Sequence, residues 1–414
     1  MRVGRAALGA ALVAVLAVAP AIPASADQVR DAEYWLDEFG IRAAWSVTQG
    51  AGVTIAIIDT GVDGTVPELR GAVIGGADFS GLGAADGQTP VGSTGSEHGT
   101  LVASLAAGRG RGTNSGVIGA APAANLLAIS IGFGEGSVDS DTQIAEAVRW
   151  AVDHGADVIN MSLTRNTLEW PQSWDDAFLY AMEHDVVIVA AAGNRGSGTT
   201  VVGAPATMPG VLTVAGVDRN GEASFDASAQ GITIGTSAPS EELVGVAPGG
   251  TLVRWGGTSG AAPIVAGIVA LVRAAHPELD AANVINRIVA TSREVGEPGP
   301  DAIYGFGLVD AAAAVSGSVP LVDANPMGDL AEWIRLYRRA EVAPAAPPTP
   351  WVPPAVAEPQ VEASGIDGPA GVLLPTVPLL RGVGVPLLVI GLLVATLTGI
   401  AVWALRRLEA SRDG

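Results

Sequence analysis

Cysteine is absent from this 414-residue chain, which excludes disulfides, thiolate metal sites and a cysteine nucleophile. Lysine is absent as well, so all 22 cationic residues are arginines, a matter of composition rather than mechanism. Positive charge is scarce: 42 acidic side chains leave a net charge of −20. Phosphate backbones are held by clustered cations, so a nucleic-acid partner is excluded. Only four histidines are present, charged residues make up just 15% of the chain, and no internal repeat is visible. Apolar sequence, by contrast, is abundant at 49%, enough for one large domain with appendages. A core of that size can hold an exported protein together without disulfides.

Both ends carry membrane signals. Residues 1–26 set Arg2 and Arg5 ahead of an apolar stretch that closes on Ala24-Ser25-Ala26, the layout of a secretory signal peptide cleaved after Ala26. Residues 382–405 run without a charge, and Arg406 and Arg407 follow at once. As a helix that segment spans about 36 Å against a hydrocarbon core of roughly 30 Å. A single-pass transmembrane helix is therefore expected, with the tail 406–414 in the cytoplasm and the body extracytoplasmic. The body divides into a short extension at 27–44, a domain at 45–316 and a stalk at 317–380. Within the stalk, 327–341 fits one helix. The stretch "VAPAAPPTPWVPPAVAEP" is too proline-rich to pack regularly and reads as an extended spacer.

The domain alternates short β-branched runs with helical patterns. Residues 52–60, 124–130, 156–163, 185–193 and 210–217 are nearly continuous apolar runs, as strands buried on both faces require. Between and after them, 98–108, 141–155, 174–185, 260–275 and 280–291 fit helices. Such βαβ alternation predicts an α/β fold with a doubly wound, mostly parallel sheet and helices on both faces. In sheets of that kind functional groups gather beyond the C-terminal strand ends.

Four residues stand at such positions. Asp59 ends the run "TIAIID", where a buried carboxylate needs a partner; a plain turn cap is the alternative. His98 opens a helix, and Gly99 behind it lets another backbone approach the imidazole. The remaining histidines, His154, His184 and His276, fall at helix ends, where a cation offsets the dipole. Asn194 follows the strand ending "AAAG" and offers a neutral amide donor, unless it is only a turn residue. Thr258-Ser259 precedes an apolar helix, where capping is the ordinary role. Acyl transfer by serine needs a hydroxyl, a base, a carboxylate to orient the base, and donors for the oxyanion. Small residues flank all four positions, and clearance around reacting atoms accounts for them together where capping accounts for only some.

The ordered set "IAIIDTGVD", "HGTLVASLAAG", "VINMSL", "AAAGN" and "GTSGAAPIVAG", closed by "YGFGLVDAAAAV" (304–315), resembles the subtilisin-type serine peptidases, the subtilases, over roughly residues 45–315. The resemblance implies a subtilisin-like fold and hydrolysis of peptide bonds through an acyl-enzyme. It makes Ser259 the nucleophile, His98 the general base and then acid, and Asp59 the residue that orients the imidazole. Asn194 and the Ser259 N–H become the oxyanion hole. It also implies that Ser130 and Gly132, with Ser162, Leu163 and Thr164, line the cleft and pair with a peptide substrate as added strands. The chemistry requires no cofactor and no metal residue is assigned. Asp78, Asp139 and Asp141 form no recognisable calcium loop, which leaves structural calcium open.

The chain departs from the family pattern in places. The usual serine motif has a bulkier residue at 260 and often histidine at 264, where Gly260 and Ile264 stand. Glycines usually follow "VINMSL", where Thr164-Arg165 would narrow or charge the first specificity pocket. Fewer than 30 residues separate the expected cleavage site from the first strand, too few for the usual inhibitory prosegment. That short extension and the C-terminal anchor resemble the mycosins, membrane-anchored subtilases of type VII secretion, although mycosins commonly carry disulfides. Partners implied are a protein or peptide substrate, the membrane and secretion machinery. The alternatives are a general cell-surface subtilase and a mainly structural part of a secretion complex. An esterase is disfavoured, because its Gly-x-Ser-x-Gly turn lies upstream of its acid and histidine.

Overall fold

The computed structural model describes residues 28–338. Three short helices come first: α1 (Gln28–Ala32), α2 (Trp35–Glu38) and α3 (Ile41–Ala44). The chain then winds through β1 (Thr54–Asp59), β2 (Val73–Asp78), α4 (His98–Ala107), β3 (Asn125–Ser130), α5 (Ser140–Asp153) and β4 (Val158–Met161). It continues through α6 (Gln172–Glu183), β5 (Val187–Ala191), β6 (Leu212–Val217) and β7 (Ile234–Pro239). A hairpin of β8 (Leu243–Val246) and β9 (Leu252–Trp255) leads into α7 (Thr258–Ala275), followed by α8 (Ala281–Ala290), α9 (Ala311–Ser316) and α10 (Leu330–Tyr337).

Strands β1 to β7 form one sheet in the order β2-β3-β1-β4-β5-β6-β7, and every pairing in it is parallel. The side-chain period of two divides each strand between two cores. Ile55 and Ile57 of β1 face the core shared with α4 and α7, while Ala56 and Ile58 face the core shared with α5 and α6. β1 lies between β3 and β4, so the C-terminal ends of these three strands, the place where ligands bind in sheets of this kind, stand side by side.

The apolar runs became the inner strands, and both edge strands went unpredicted. β2 contains Gly75 and Gly76, and β7 reads Ile-Gly-Thr-Ser-Ala-Pro. Glycine, serine and proline weaken a strand pattern and are tolerated at sheet edges. The packed body also exceeds the expected 45–316 at both ends. Trp35 and Leu36 are fully buried, and Glu33 accepts the Ile118 N–H at 2.6 Å. At the other end Leu330 is buried, and Arg338 lies against Trp170 and Trp333 while pairing with Asp175 at 2.7 Å. Among the described residues one helix, α7, is long and apolar enough to cross a membrane, but 83% of that stretch is buried inside the domain. It is a core helix. The expected signal peptide, proline-rich spacer, transmembrane helix and tail lie outside the described residues.

Candidate active site

Asp59 is the last residue of β1 and fully buried. Its carboxylate accepts the Thr60 N–H at 2.7 Å, and both its oxygens lie at hydrogen-bond distance from His98 Nδ1, 2.8 and 2.9 Å away. A carboxylate can only accept, so Nδ1 carries the proton and Nε2 is left as the basic nitrogen. His98 is 1% exposed. Its helix is tied to the end of β1 through Thr60, whose hydroxyl accepts the Gly99 N–H at 2.9 Å and donates to the Ser96 carbonyl at 3.0 Å. Gly99 permits the approach: a Cβ there would stand 2.2 Å from the Gly61 carbonyl oxygen. The other three histidines terminate α5, α6 and α7, as their positions implied.

Thr258 and Ser259 do not cap α7. The cap position belongs to Gly257 at φ 120°, and no side chain bonds the helix start there. Thr258 turns to Asn194 instead. Its N–H and its hydroxyl both donate to Asn194 Oδ1 at 2.8 Å, while the same hydroxyl accepts the Gly193 N–H at 3.0 Å. With Oδ1 taken, the amide orients its NH₂ as a donor. The Ser259 N–H lies in the first helical turn, where backbone donors lack intrahelical acceptors. Ser259 itself is 8% exposed.

The Ser259 carbonyl would ordinarily accept the N–H four residues on, but residue 263 is proline and has none. Ser162, just past β4, donates its hydroxyl to that carbonyl at 2.8 Å, and Asn160 Nδ2 donates to Ser162 at 3.0 Å. In this conformation the Ser259 hydroxyl donates to the Ser162 carbonyl at 3.3 Å. No hydrogen bond joins it to His98, whose ring is held by Asp59. The structure thus pairs Asp59 with His98 and Asn194 with Thr258, and it seats Ser259 on Ser162. A pre-oriented base, a hydroxyl at a helix N-terminus and a fixed amide donor are the parts of nucleophilic acyl transfer.

The Subtilase family model matches residues 50–307, which contain all of these residues. The chain belongs to the subtilase family. Subtilisin DY of Bacillus licheniformis is 36% identical over 271 residues, 64% of this chain and 92% of that protein. Fervidolysin of Fervidobacterium pennivorans is 34% identical over 321 residues, 70% of this chain, although the match spans only 44% of fervidolysin's length. Among solved structures, the serine protease MycP1, described as an essential component of the type VII (ESX-1) secretion system, superposes with a TM-score of 0.60 at 32% identity. That match covers 71% of this chain and 90% of MycP1.

The expected cleft residues of this subtilase divide. Ser130 and Gly132 are tied into the fold by their own hydrogen bonds. Ser130 is buried and donates to Asp78 at 2.7 Å. Gly132 donates its N–H to Gln143 Oε1 and accepts the Ser140 hydroxyl, both at 2.7 Å. Ser162 and Leu163 are buried beside Ser259. Thr164 sits against Gly193: a Cβ at Gly193 would come 3.0 Å from the Thr164 methyl, and one at Gly203 would come 2.9 Å from the Thr164 hydroxyl. Arg165 does not charge this space, because it pairs with Asp141 at 2.7 Å and lies over Trp174.

Of the acidic residues weighed for calcium, Asp139 caps α5 and Asp78 is saturated with donors. Burial pushes the Asp78 carboxyl up, but hydrogen bonds from Ser80, Ser130 and Gly83 outweigh that and hold it below the usual carboxylate range. Among the described residues no group of three or more metal-binding side chains is gathered. Sequence reasoning passed over Thr60 and treated Thr258 only as a cap. The signal for both was present, a threonine beside each reacting residue, but its meaning depends on partners 36 to 64 positions away.

Proposed function

We propose that the chain is a membrane-tethered, extracytoplasmic serine endopeptidase. His98 Nε2 takes the Ser259 proton as Oγ attacks the scissile carbonyl, and Asp59 stabilises the imidazolium that forms. The Asn194 amide and the Ser259 N–H receive the oxyanion, His98 protonates the leaving amine, and water then releases the acyl-enzyme by the reverse path. The observation that carries this reading is the buried Asp59–His98 pair, with Nδ1 at 2.8 and 2.9 Å from the two oxygens. Thr164 stands against Gly193, the residue before Asn194, which supports a preference for small residues on the acyl side of the scissile bond. Full-length protein treated with a fluorophosphonate probe is expected to label at Ser259, with Ser259→Ala blank; a folded wild-type chain that does not label rejects the peptidase reading.

The signal-peptide layout of residues 1–26 and the uncharged segment 382–405 support export and anchoring, and the likeness to MycP1 supports a place in type VII secretion. The same likeness favours a second reading, in which the body serves chiefly as a structural part of a secretion complex. Complementation of a deletion strain separates the two. Rescue of secretion by Ser259→Ala would assign the essential role to scaffolding, and failure of a normally expressed Ser259→Ala chain would assign it to peptide hydrolysis.

A further inference from the structure

Trp255 is the last residue of β9 and stands directly opposite Leu243 of β8 in the antiparallel hairpin. It is 4% exposed. Its ring meets that of His98 edge to face, with centroids 5.9 Å apart and planes at 76°. The hairpin can lie this close because residue 260, immediately after Ser259, is glycine. A Cβ at Gly260 would stand 2.3 Å from Leu243 Cδ1, 3.4 Å from Leu105 Cδ1 and 3.5 Å from Trp255 Cη2. Gly245 makes the same allowance on the other side of the indole, where a Cβ would be 2.9 Å from Nε1. Thus the space a side chain after the nucleophile would fill is occupied instead from the hairpin. Leu105, on the helix that carries His98, closes the same contact.

The placement is not what core filling alone would select. Trp255 Nε1 is buried and has no hydrogen-bond partner, a state that costs stability. A phenylalanine would occupy the interior without that cost. Asp59 holds His98 by Nδ1 alone, which fixes one direction and leaves the ring free to rock about that contact. A flat, rigid neighbour against the ring removes the remaining freedom. The geometry points to Trp255 as a positioning residue for His98, with Gly260 the vacancy that admits it. Trp255 holds the imidazole plane so that Nε2 stays turned toward the position of Oγ during proton transfer. This inference rests on the peptidase reading above, since it concerns the base of that reaction.

Fluorophosphonate labelling of the full-length protein tests it without a known substrate. Three chains are compared: wild type, Trp255→Leu, which keeps apolar bulk and removes the ring, and Trp255→Phe, which keeps a ring. Each is followed by its saturating labelling rate, its half-saturating probe concentration, its thermal midpoint and the NMR signal of the His98 Nδ1 proton. Misplacement of a catalytic group by a fraction of an ångström lowers rates by about tenfold or more. Trp255→Leu is therefore expected to label about tenfold or more slowly at an unchanged half-saturating concentration, with its Nδ1 proton signal broadened. Trp255→Phe is expected to restore the signal and most of the rate. An undiminished rate in Trp255→Leu overturns the proposal, and so does an equal loss in both variants. Should Trp255→Leu fail to fold, Trp255→Met takes its place under the same criteria. Absence of labelling in the folded wild type would reject the peptidase reading itself, so the two failures are distinct.

Discussion

Four hydrogen bonds involve the Thr258 side chain and N–H, and three of them serve Asn194 or the glycine before it. An amide that can rotate is a poor oxyanion donor, because it must be reoriented during the reaction. Thr258→Val removes the hydroxyl and keeps the shape, so turnover is expected to fall about tenfold while Thr258→Ser stays near wild type. Asn194→Ala is expected to lower turnover by roughly 10² to 10³, the range already established for loss of such a donor in a subtilisin. Steady-state kinetics on a peptide library measures both. Ser162→Ala leaves the Ser259 carbonyl without a partner, since Pro263 cannot supply one. Denaturant unfolding should register a loss of about 1–3 kcal/mol. Thr164→Gly should shift cleavage in the same library from small residues toward larger ones.

At the level of elements, the site depends on how closely β1 and α4 meet. The Gly61 carbonyl approaches Gly99 so closely that no side chain fits between them, while Thr60 stitches the two ends together. Gly99→Ala must push the helix start away from the strand, taking His98 from Asp59. Overpacking of this kind costs about 1–3 kcal/mol. A lowered thermal midpoint together with lost fluorophosphonate labelling is expected; labelling at the wild-type rate would show that the junction tolerates movement. The sequence made this element pair legible, because an apolar run ending in Asp59 and a helix opening on His98 are local patterns. It did not make the hairpin legible. β8 and β9 hold four residues each, and β8 begins one residue after Glu242, which adopts φ 53°. Short strands beside such turns carry too few alternations to identify.

For the whole molecule, depressed carboxylates contribute stability that acid removes. The Thr142 N–H, as the helix-cap bond of α5, holds the Asp139 carboxyl below its usual range. At Asp78 burial acts upward and the hydroxyl and backbone donors more than offset it. In both, the folded-state value lies below the unfolded one near ~3.9. Their contribution is therefore complete above that value and is lost as pH falls through the folded-state values. Urea midpoints should drop as pH falls below about 4, and Asp78→Asn should flatten that dependence. A midpoint that stays constant or rises on acidification would contradict the sign.

Some of this protein was fixed by its sequence alone. The inner strands, the long helices, the order of Asp59, His98, Asn194 and Ser259, and the absence of thiol chemistry follow from composition and from periods of two and 3.6 residues, which act over a few neighbours. The tertiary structure decided what each polar group bonds. It gave Thr258 to Asn194 rather than to a cap, Ser162 to the carbonyl that Pro263 leaves unmet, and Ser130 to Asp78. Those pairings join residues far apart along the chain, and only burial, which leaves a polar group no water to turn to, selects among the partners that the fold brings within reach.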